Sequence, residues 1–173
     1  NAVLPVKAFD DNRYIFMATS LGTVKKTPLS EFSRPRSNGI IAIGLDEGDY
    51  LIGVALTEGN HDVMLFSDGG KAMRFSENDV RPVGRSARGV RGMRLGAGQK
   101  VISLLVAENE ELTVLTATEN GYGKRTPISE YTRHNRGTQG MIAINTSARN
   151  GKVVAAHLVK QDDEIMLINT GRI

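Results

Sequence analysis

The residues best suited to chemistry in this 173-residue chain are arginines that recur in short clusters with small neighbours. The clusters are Arg34-Pro35-Arg36-Ser37, Arg85-Ser86-Ala87-Arg88-Gly89 and Arg133-His134-Asn135-Arg136-Gly137. A guanidinium keeps its charge and offers a planar set of donors that matches phosphate oxygens, and small neighbours let backbone amides approach closely. The clusters therefore predict the binding of phosphate groups.

No set of residues that would support catalysis accompanies these clusters. Gly70-Lys71 is followed by Ala72 rather than by Ser or Thr, so it does not form a nucleotide-binding P-loop. The chain has no cysteine, which excludes thiolate nucleophiles, cysteine zinc sites and disulfides. The three histidines, His61, His134 and His157, are dispersed along the chain. We therefore expect no catalytic site, no metal and no other cofactor in this segment.

The arginine clusters belong to a repeat of about 50 residues. The sequence of residues 18–32 recurs at 117–131, a diverged copy occupies 66–80, and a fourth copy begins at 168. A glycine follows an apolar, β-branched run in each copy, and successive glycines lie 48, 51 and 50 residues apart, at Gly22, Gly70, Gly121 and Gly171. Repetition at this period is typical of propellers and other radial arrays.

Each repeat predicts four short β-strands, which is the content of one propeller-type blade. The first strand leads into a hairpin at the landmark glycine and is expected at 14–18, 63–66, 112–117 and 165–168. A basic arm then runs to a second glycine, and a strand is expected after it at 40–43, 90–93 and 141–144. A further strand is expected at 51–54, 101–104 and 153–156.

The predicted fold is therefore all-β, a propeller-like array of four-stranded blades in a single domain over residues 1–173. Complete repeats are expected at about 12–61, 62–111 and 112–163, with a truncated blade at 164–173. Residues 2–6 align with the strand at 102–106, so we expect the chain to be part of a larger ring. No apolar run approaches the ~20 residues of a membrane span, and no leader is recognised, so we expect a cytoplasmic protein.

Tyr131 and the acidic run at 162–164 could suggest catalytic roles, but we interpret both as structural or surface residues. Tyr131 has Arg133 beside it, as a tyrosine nucleophile acting on a phosphodiester could, but Phe32 and Val80 take its place in the other repeats. That substitution pattern is typical of a packing position. The acidic run at 162–164 falls in the turn before the fourth hairpin, where acids are common, and is interpreted as solvated.

Charge is segregated within every repeat. The windows 22–44, 70–96 and 121–152 hold 17 of the 22 Lys and Arg residues but only 4 of the 19 Asp and Glu residues. Because blades repeat by rotation, equivalent windows should face the same way and form a continuous basic strip around the rim. Such a strip is typical of proteins that bind a phosphate backbone. Few aromatic residues lie in the windows, which favours double-stranded DNA over single strands.

The repeat resembles the C-terminal domain of the A subunit of bacterial DNA gyrase. The resemblance is clearest at 117–126, at 16–27 and at 89–95, and it extends over essentially the whole chain. It implies a β-pinwheel, a propeller-like disc in which neighbouring blades exchange strands and DNA wraps around the basic outer edge. It also implies that the nucleophile, the metal site and the ATPase of a type II topoisomerase lie outside this segment.

Two alternatives to this interpretation stay open. The gyrase box, Gln-Arg-Arg-Gly-Gly-Lys-Gly, does not occur in these 173 residues. In the family the box sits in the first blade, upstream of the part represented here, so a fragment of later blades would lack it. Its absence therefore does not separate gyrase from the similar C-terminal domain of the topoisomerase IV A subunit, which is one alternative. The other is a kelch-like propeller that acts as a protein-interaction module, although that class predicts no shared basic strip.

The resemblance also implies which residues contact DNA, repeat by repeat. Arg91 and Arg94 alternate with apolar residues in a strand, so one or both could instead pair with Glu77 or Asp79. The DNA-contact candidates are Lys25, Lys26, Arg34, Arg36, Lys71, Arg74, Arg81, Arg85, Arg88, Arg91, Arg94, Lys124, Arg125, Arg133 and Arg136.

The implied function is non-catalytic. The segment is expected to bend duplex DNA around its rim so that an ATP-dependent topoisomerase can introduce negative supercoils. The implied partners are double-stranded DNA, read with weak sequence preference, the rest of the gyrase A subunit and, through it, the gyrase B subunit. No membrane partner is expected.

Overall fold

The computed structural model describes residues 3–168, and within that range the regular structure consists of β-strands and three short 3-10 turns, without an α-helix. The 3-10 turns are Leu29–Phe32, Glu77–Asp79 and Ile128–Glu130. The strands are β1 (Tyr14–Thr19), β2 (Thr23–Pro28), β3 (Leu51–Thr57), β4 (Asp62–Ser67), β5 (Lys71–Ser76), β6 (Val90–Arg91), β7 (Val101–Ala107), β8 (Thr113–Thr118), β9 (Gly123–Pro127), β10 (Met141–Ile142) and β11 (Val153–Val159).

These strands form one antiparallel sheet, or blade, for each repeat. The strand orders are β3-β1-β2-β6 in the first blade, β10-β5-β4-β7 in the second and β11-β8-β9 in the third. The β-branched and apolar content of the strands suits a half-buried pleated surface. The predicted all-β, propeller-like fold with four-stranded blades is confirmed, and in the third blade three strands lie among residues 3–168.

The blades pack side by side through their inner strands, β3, β7 and β11. Side chains from adjacent sheets meet between them: the rings of Phe16 and Phe75 lie 6.3 Å apart, and those of Phe66 and Tyr131 lie 5.8 Å apart, edge to face. Full burial of one such ring contributes about 1.5–3 kcal/mol. Tyr131 is 2% exposed, so it is a packing residue, as the comparison of the repeats indicated.

The outer edge of each blade is completed by the following repeat. The amide of Val83 donates to the carbonyl of Lys26 at 2.9 Å, and β6 then pairs with β2. One repeat later, the amide of His134 donates to the carbonyl of Arg74 at 2.8 Å, and β10 pairs with β5. The basic arm of each of these repeats is therefore a structural part of the preceding blade and lies at its rim.

Some predicted strands are shorter or missing. β6 and β10 contain two residues each, and residues 40–43, expected as a strand, have no regular structure. The physical reason for the difference at 40–43 is that no preceding outer strand lies among residues 3–168 to pair with them. Residues 3–6 and 165–168 also form no strand, and the rest of the predicted fourth hairpin, from 169 onwards, lies outside the described residues.

The glycine at the end of each arm differs in its surroundings between repeats. The same alanine substitution should therefore lower the unfolding free energy by different amounts at Gly39 and Gly140. Gly39 and Gly140 both have positive φ, +79° and +77°, so alanine strains the backbone at either position, at about 1–2 kcal/mol. A Cβ at Gly140 would also overlap the carbonyl of Ala72, whereas a Cβ at Gly39 would meet nothing within 4 Å. We predict a clearly larger loss of unfolding free energy for Gly140→Ala than for Gly39→Ala.

Urea unfolding of both variants measures this difference. Equal losses would contradict the close packing of the third repeat's arm on β5, because backbone strain is common to the two positions.

Candidate nucleic-acid interface

The structure divides the fifteen predicted DNA-contact residues by burial. The exposed side chains belong to Arg34, Arg36, Arg81, Arg88, Arg91, Arg94, Lys124, Arg125 and Arg133. Partly buried are Lys71, Arg74, Arg85 and Arg136, and fully buried are Lys25 and Lys26. The exposed group is the part of the set that surface DNA could reach without a rearrangement.

Lys25 is a buried structural cation, which corrects its prediction as a surface contact. Its Nζ donates to the carbonyl of Ala42 at 2.9 Å and to the carbonyl of Arg85, and so ties the first repeat to the arm of the second. Burial, together with the nearby Arg85 cation, lowers the pKa of Lys25. The side chain is covered because the arm of the second repeat crosses the outer strand that carries it.

Lys26 also differs from the expectation, because it is 2% exposed and joins two repeats. Its Nζ lies 3.6 Å from Oε1 of Glu77, donates to the Glu77 carbonyl at 3.1 Å, and lies 4.7 Å from the centre of the Tyr14 ring. Burial lowers the pKa of Lys26, and the Glu77 carboxylate opposes this shift. Glu77 also accepts the amides of Gly59 and His61, so its buried carboxylate is satisfied.

Arg74 is the third predicted contact that the structure places inside, with 10% of its side chain exposed. Its Nε donates to Asp62 at 2.8 Å, its other nitrogens contact Glu110, and it also donates to the carbonyl of Ile128 at 3.1 Å. Burial acts to lower the pKa of Arg74, but hydrogen bonds to Glu110 and Asp62 outweigh it and raise the pKa. Through the Ile128 carbonyl, Arg74 therefore connects the second blade to the third repeat.

Arg133 shares Asp62 with Arg74 but stays open to solvent. Its NH2 group lies 2.7 Å from Oδ1 of Asp62 and its Nε donates to Oδ2 at 3.0 Å, while 63% of the side chain is exposed. Its charge is largely balanced by a carboxylate that is itself 4% exposed. Arg133 is thus held at the surface by a bidentate ion pair.

Arg85 and Arg136 are equivalent residues that connect neighbouring repeats. Arg136 donates to the carbonyl of Arg91 at 3.0 Å, and Arg85 donates to the carbonyl of Ile41 at 3.1 Å. Both acceptors lie two residues after the second glycine of the preceding repeat. The recurrence shows that part of the basic strip holds the rim together.

The structure shows that Arg91 and Arg94 do not pair with Glu77 or Asp79, the alternative that the sequence left open. Both side chains are exposed, and neither forms an ion pair within residues 3–168. Glu77 pairs with Lys26, and the Asp79 carboxylate forms no ion pair within residues 3–168. Arg91 and Arg94 are therefore free to meet a ligand at the rim.

Lys124 and Arg125 stand at the repeat positions of Lys25 and Lys26, yet both are exposed. The difference arises because no arm covers β9 within residues 3–168. The Arg125 side chain donates to the carbonyl of Gln161 at 3.4 Å. Their exposure depends on what lies against β9.

The exposed cations that were not among the predicted contacts include Lys100, Arg149 and Lys152. Lys100 and Lys152 immediately precede the inner strands β7 and β11, where the first repeat has Tyr50. The Lys100 ammonium lies 5.5 Å from the centre of the Tyr50 ring. Their repeated position before an inner strand is the sequence pattern that could have identified them.

No group of three or more metal-ligating side chains occurs among the described residues. Nor does the described part of the chain contain a helix with the length and apolarity needed to cross a membrane.

The fold and the rim together define a propeller-like β-module whose outer edge carries exposed arginines on successive blades. The family model described as the DNA gyrase C-terminal domain, beta-propeller, matches residues 13–58, 61–108 and 113–160. The chain belongs to this family.

Similar sequences include the A subunits of several bacterial DNA gyrases. That of Pseudomonas aeruginosa is 59% identical over 156 residues, which are 90% of this chain and 17% of the relative. That of Escherichia coli is 53% identical over 167 residues, which are 96% of this chain and 19% of the relative. The chain thus spans about a fifth of the length of these relatives.

Similar solved structures come from two kinds of topoisomerase. A DNA topoisomerase IV C-terminal domain matches with a TM-score of 0.85 at 27% identity, covering 91% of this chain and 49% of that one. A DNA gyrase A C-terminal domain matches with a TM-score of 0.81 at 29% identity, covering 91% and 53%. Shape does not separate the two kinds, whereas the family model and the similar gyrase sequences identify the gyrase family.

Because Lys25 is buried and Arg91 is exposed, substitutions at these two residues should have opposite effects on stability and on DNA binding. Lys25→Met removes the donor from two carbonyls and should lower the unfolding free energy by about 1–3 kcal/mol. Arg91→Gln should change it by no more than about 0.5 kcal/mol. In DNA binding, Arg91→Gln should make the slope of log K against log salt shallower by about one, and Lys25→Met should leave the slope unchanged.

Urea unfolding and fluorescence anisotropy over a salt series, below the unfolding transition, measure both effects. A shallower salt slope for Lys25→Met would contradict its assignment as a structural cation.

Proposed function

We propose that this chain binds duplex DNA on its rim and bends it, without performing chemistry itself. The observation that carries the proposal is the repetition of exposed arginines on the outermost edge of successive blades, in a chain that belongs to the gyrase C-terminal family. A ligand contacting all of these blades must be long, negatively charged and able to follow a curved surface. Duplex DNA has these properties.

Contacts on several blades are required because bending is costly. Bending a 20–30 base-pair site by 40–90° costs about 1–6 kcal/mol, and simultaneous phosphate contacts must offset this cost. The proposed contacts are the exposed members of the predicted set, on the arms of all three repeats and at β9: Arg34, Arg36, Arg81, Arg88, Arg91, Arg94, Lys124, Arg125 and Arg133. Because phosphates carry no sequence information, preferences should follow DNA deformability.

For the whole protein, we propose the role of a gyrase A subunit in an ATP-dependent type II topoisomerase. The wrapped DNA would present a positive crossing to a catalytic core elsewhere, and strand passage would invert the crossing to give negative supercoils. The proposed partners are double-stranded DNA, the rest of the gyrase A subunit and, through it, the gyrase B subunit, in the bacterial cytoplasm. The support is the 53–59% identity to gyrase A subunits over 90–96% of this chain.

The proposed function predicts that affinity depends on both DNA length and salt. A duplex of about 150 base pairs should bind much more tightly than one of about 20, with a slope of log K against log salt of several negative units. Each phosphate contact adds about 0.9 to the magnitude of the slope, so only a duplex long enough to follow the rim gives the full value.

Titration of the two duplexes over a salt series provides the measurement. Similar affinities and shallow slopes for both would contradict the wrapping of DNA and favour a protein partner for the propeller.

A further inference from the structure

The two ends of the blades form two different faces of the molecule. The turns between β1 and β2, β4 and β5, and β8 and β9 all lie at one end, which we call the hairpin face. The loops that lead from an inner strand to the next hairpin lie at the opposite end, because β3, β7 and β11 run antiparallel to β1, β4 and β8. We call this end the acidic face.

The acidic face carries exposed carboxylates in each of these loops. They follow the inner strands β3, β7 and β11 and come from successive repeats. The residues are Glu58, Glu108, Glu110, Glu111, Asp162 and Asp163. A phosphate backbone is repelled by such a surface over about one Debye length, ~10 Å at 0.1 M salt.

Three cations on the acidic half of the blades are paired with carboxylates. Lys26 pairs with Glu77 at 3.6 Å, and Arg74 and Arg133 pair with Asp62 at 2.8 and 2.7 Å. The pairs of Lys26 with Glu77 and of Arg133 with Asp62 join neighbouring repeats, whereas Arg74 and Asp62 lie in the same blade. The six exposed carboxylates of this face outnumber its exposed lysines, Lys7 and Lys160.

Cations on the hairpin half lack this compensation. Lys71, Arg91, Arg94, Lys100 and Lys152 form no ion pair within residues 3–168. Among the described residues, this half has one ion pair, Arg88 with Asp46 at 3.4 Å. Both side chains are more than 70% exposed, so water and salt screen it strongly.

Two carboxylates in the hairpin turns, Asp68 and Glu119, accept backbone amides. Asp68 accepts the amide of Lys100 at 3.0 Å, and Glu119 accepts the amide of Lys152 at 3.0 Å. These bonds brace the hairpin turns, and Lys100 and Lys152 occupy equivalent positions of successive repeats. The arrangement continues the row of rim cations onto the hairpin face.

We propose that bound duplex lies off-centre on the rim, over its hairpin half, and that Lys100 and Lys152 contact the phosphate backbone there. The inference rests on the proposed function, adds the position of the DNA path to it, and removes Arg133, which pairs with Asp62 on the acidic half, from the proposed contacts. A strand of six residues is about 20 Å long, so a duplex centred on the rim would bring its phosphates close to the carboxylates of the acidic face. Displacement towards the hairpin face avoids this repulsion and engages the unpaired cations.

A matched pair of double variants tests the assignment of the lysines. Lys100→Gln with Lys152→Gln removes two exposed cations from the hairpin face, and Lys7→Gln with Lys160→Gln removes two from the acidic side. On a duplex of about 150 base pairs, the first double variant should make the salt slope shallower by about two, and the second should leave it unchanged. Equal changes in the two variants, or a larger change in the control, would overturn the proposal.

The absence of cysteine allows a second, direct measurement of the path. Ala97→Cys and Asn60→Cys place single thiols in exposed loops on the hairpin and acidic sides respectively, where each can carry an iron chelate that cleaves nearby DNA. The chelate at position 97 should cleave bound duplex more strongly than the chelate at position 60. Equal cleavage, or stronger cleavage from position 60, would overturn the off-centre path.

These outcomes are distinct from failure of the proposed function. If the unsubstituted chain binds the long duplex no better than the short one, wrapping itself fails and the off-centre path fails with it. If the long duplex binds tightly but both chelates cleave equally, only the path is wrong.

Discussion

The pairing of each arm with the outer strand of the preceding blade is the interaction on which the rest of the structure depends. It completes the sheet, supplies partners for backbone groups that would otherwise form an open edge, and fixes the spacing of successive blades. Ion pairs between neighbouring repeats accompany it, namely Lys26 with Glu77 and Arg133 with Asp62. Because the arm also carries exposed arginines, the element that joins two blades also places positive charge on the rim.

Basic residues in this molecule therefore serve two different purposes. A cation that faces the crossing arm becomes buried and must be satisfied by carbonyls or carboxylates, since an unpaired buried charge is costly. A cation that faces away from the arm keeps its hydration and can exchange counterions for phosphate. Lys25 and Arg91 illustrate the division: they come from different repeats, lie on paired outer strands, and have opposite exposure.

The sequence predicted the blades well because their determinants are local. Gly22, Gly70 and Gly121 mark the hairpins, and the β-branched runs before them mark the first strands. Burial of Lys25, Lys26 and Arg74 was not predicted, because it depends on an arm some 50–60 residues further along the chain. One indication was available: Glu77 stands where the other repeats have Leu29 and Ile128, and a buried acid needs a nearby cation. The strand expected at 40–43 did not form because strand formation requires a partner edge.

Native-state hydrogen exchange of the arm amides tests the central claim most directly. The amides of Val83, Gly92, His134 and Ala143 donate to the backbone of the preceding repeat and are far from their own hairpins in sequence. If the arms complete the neighbouring blades, these amides should open with free energies approaching that of global unfolding, together with the amides of β1 and β4. Exchange at the rate of an exposed loop, with β1 and β4 still protected, would contradict the account.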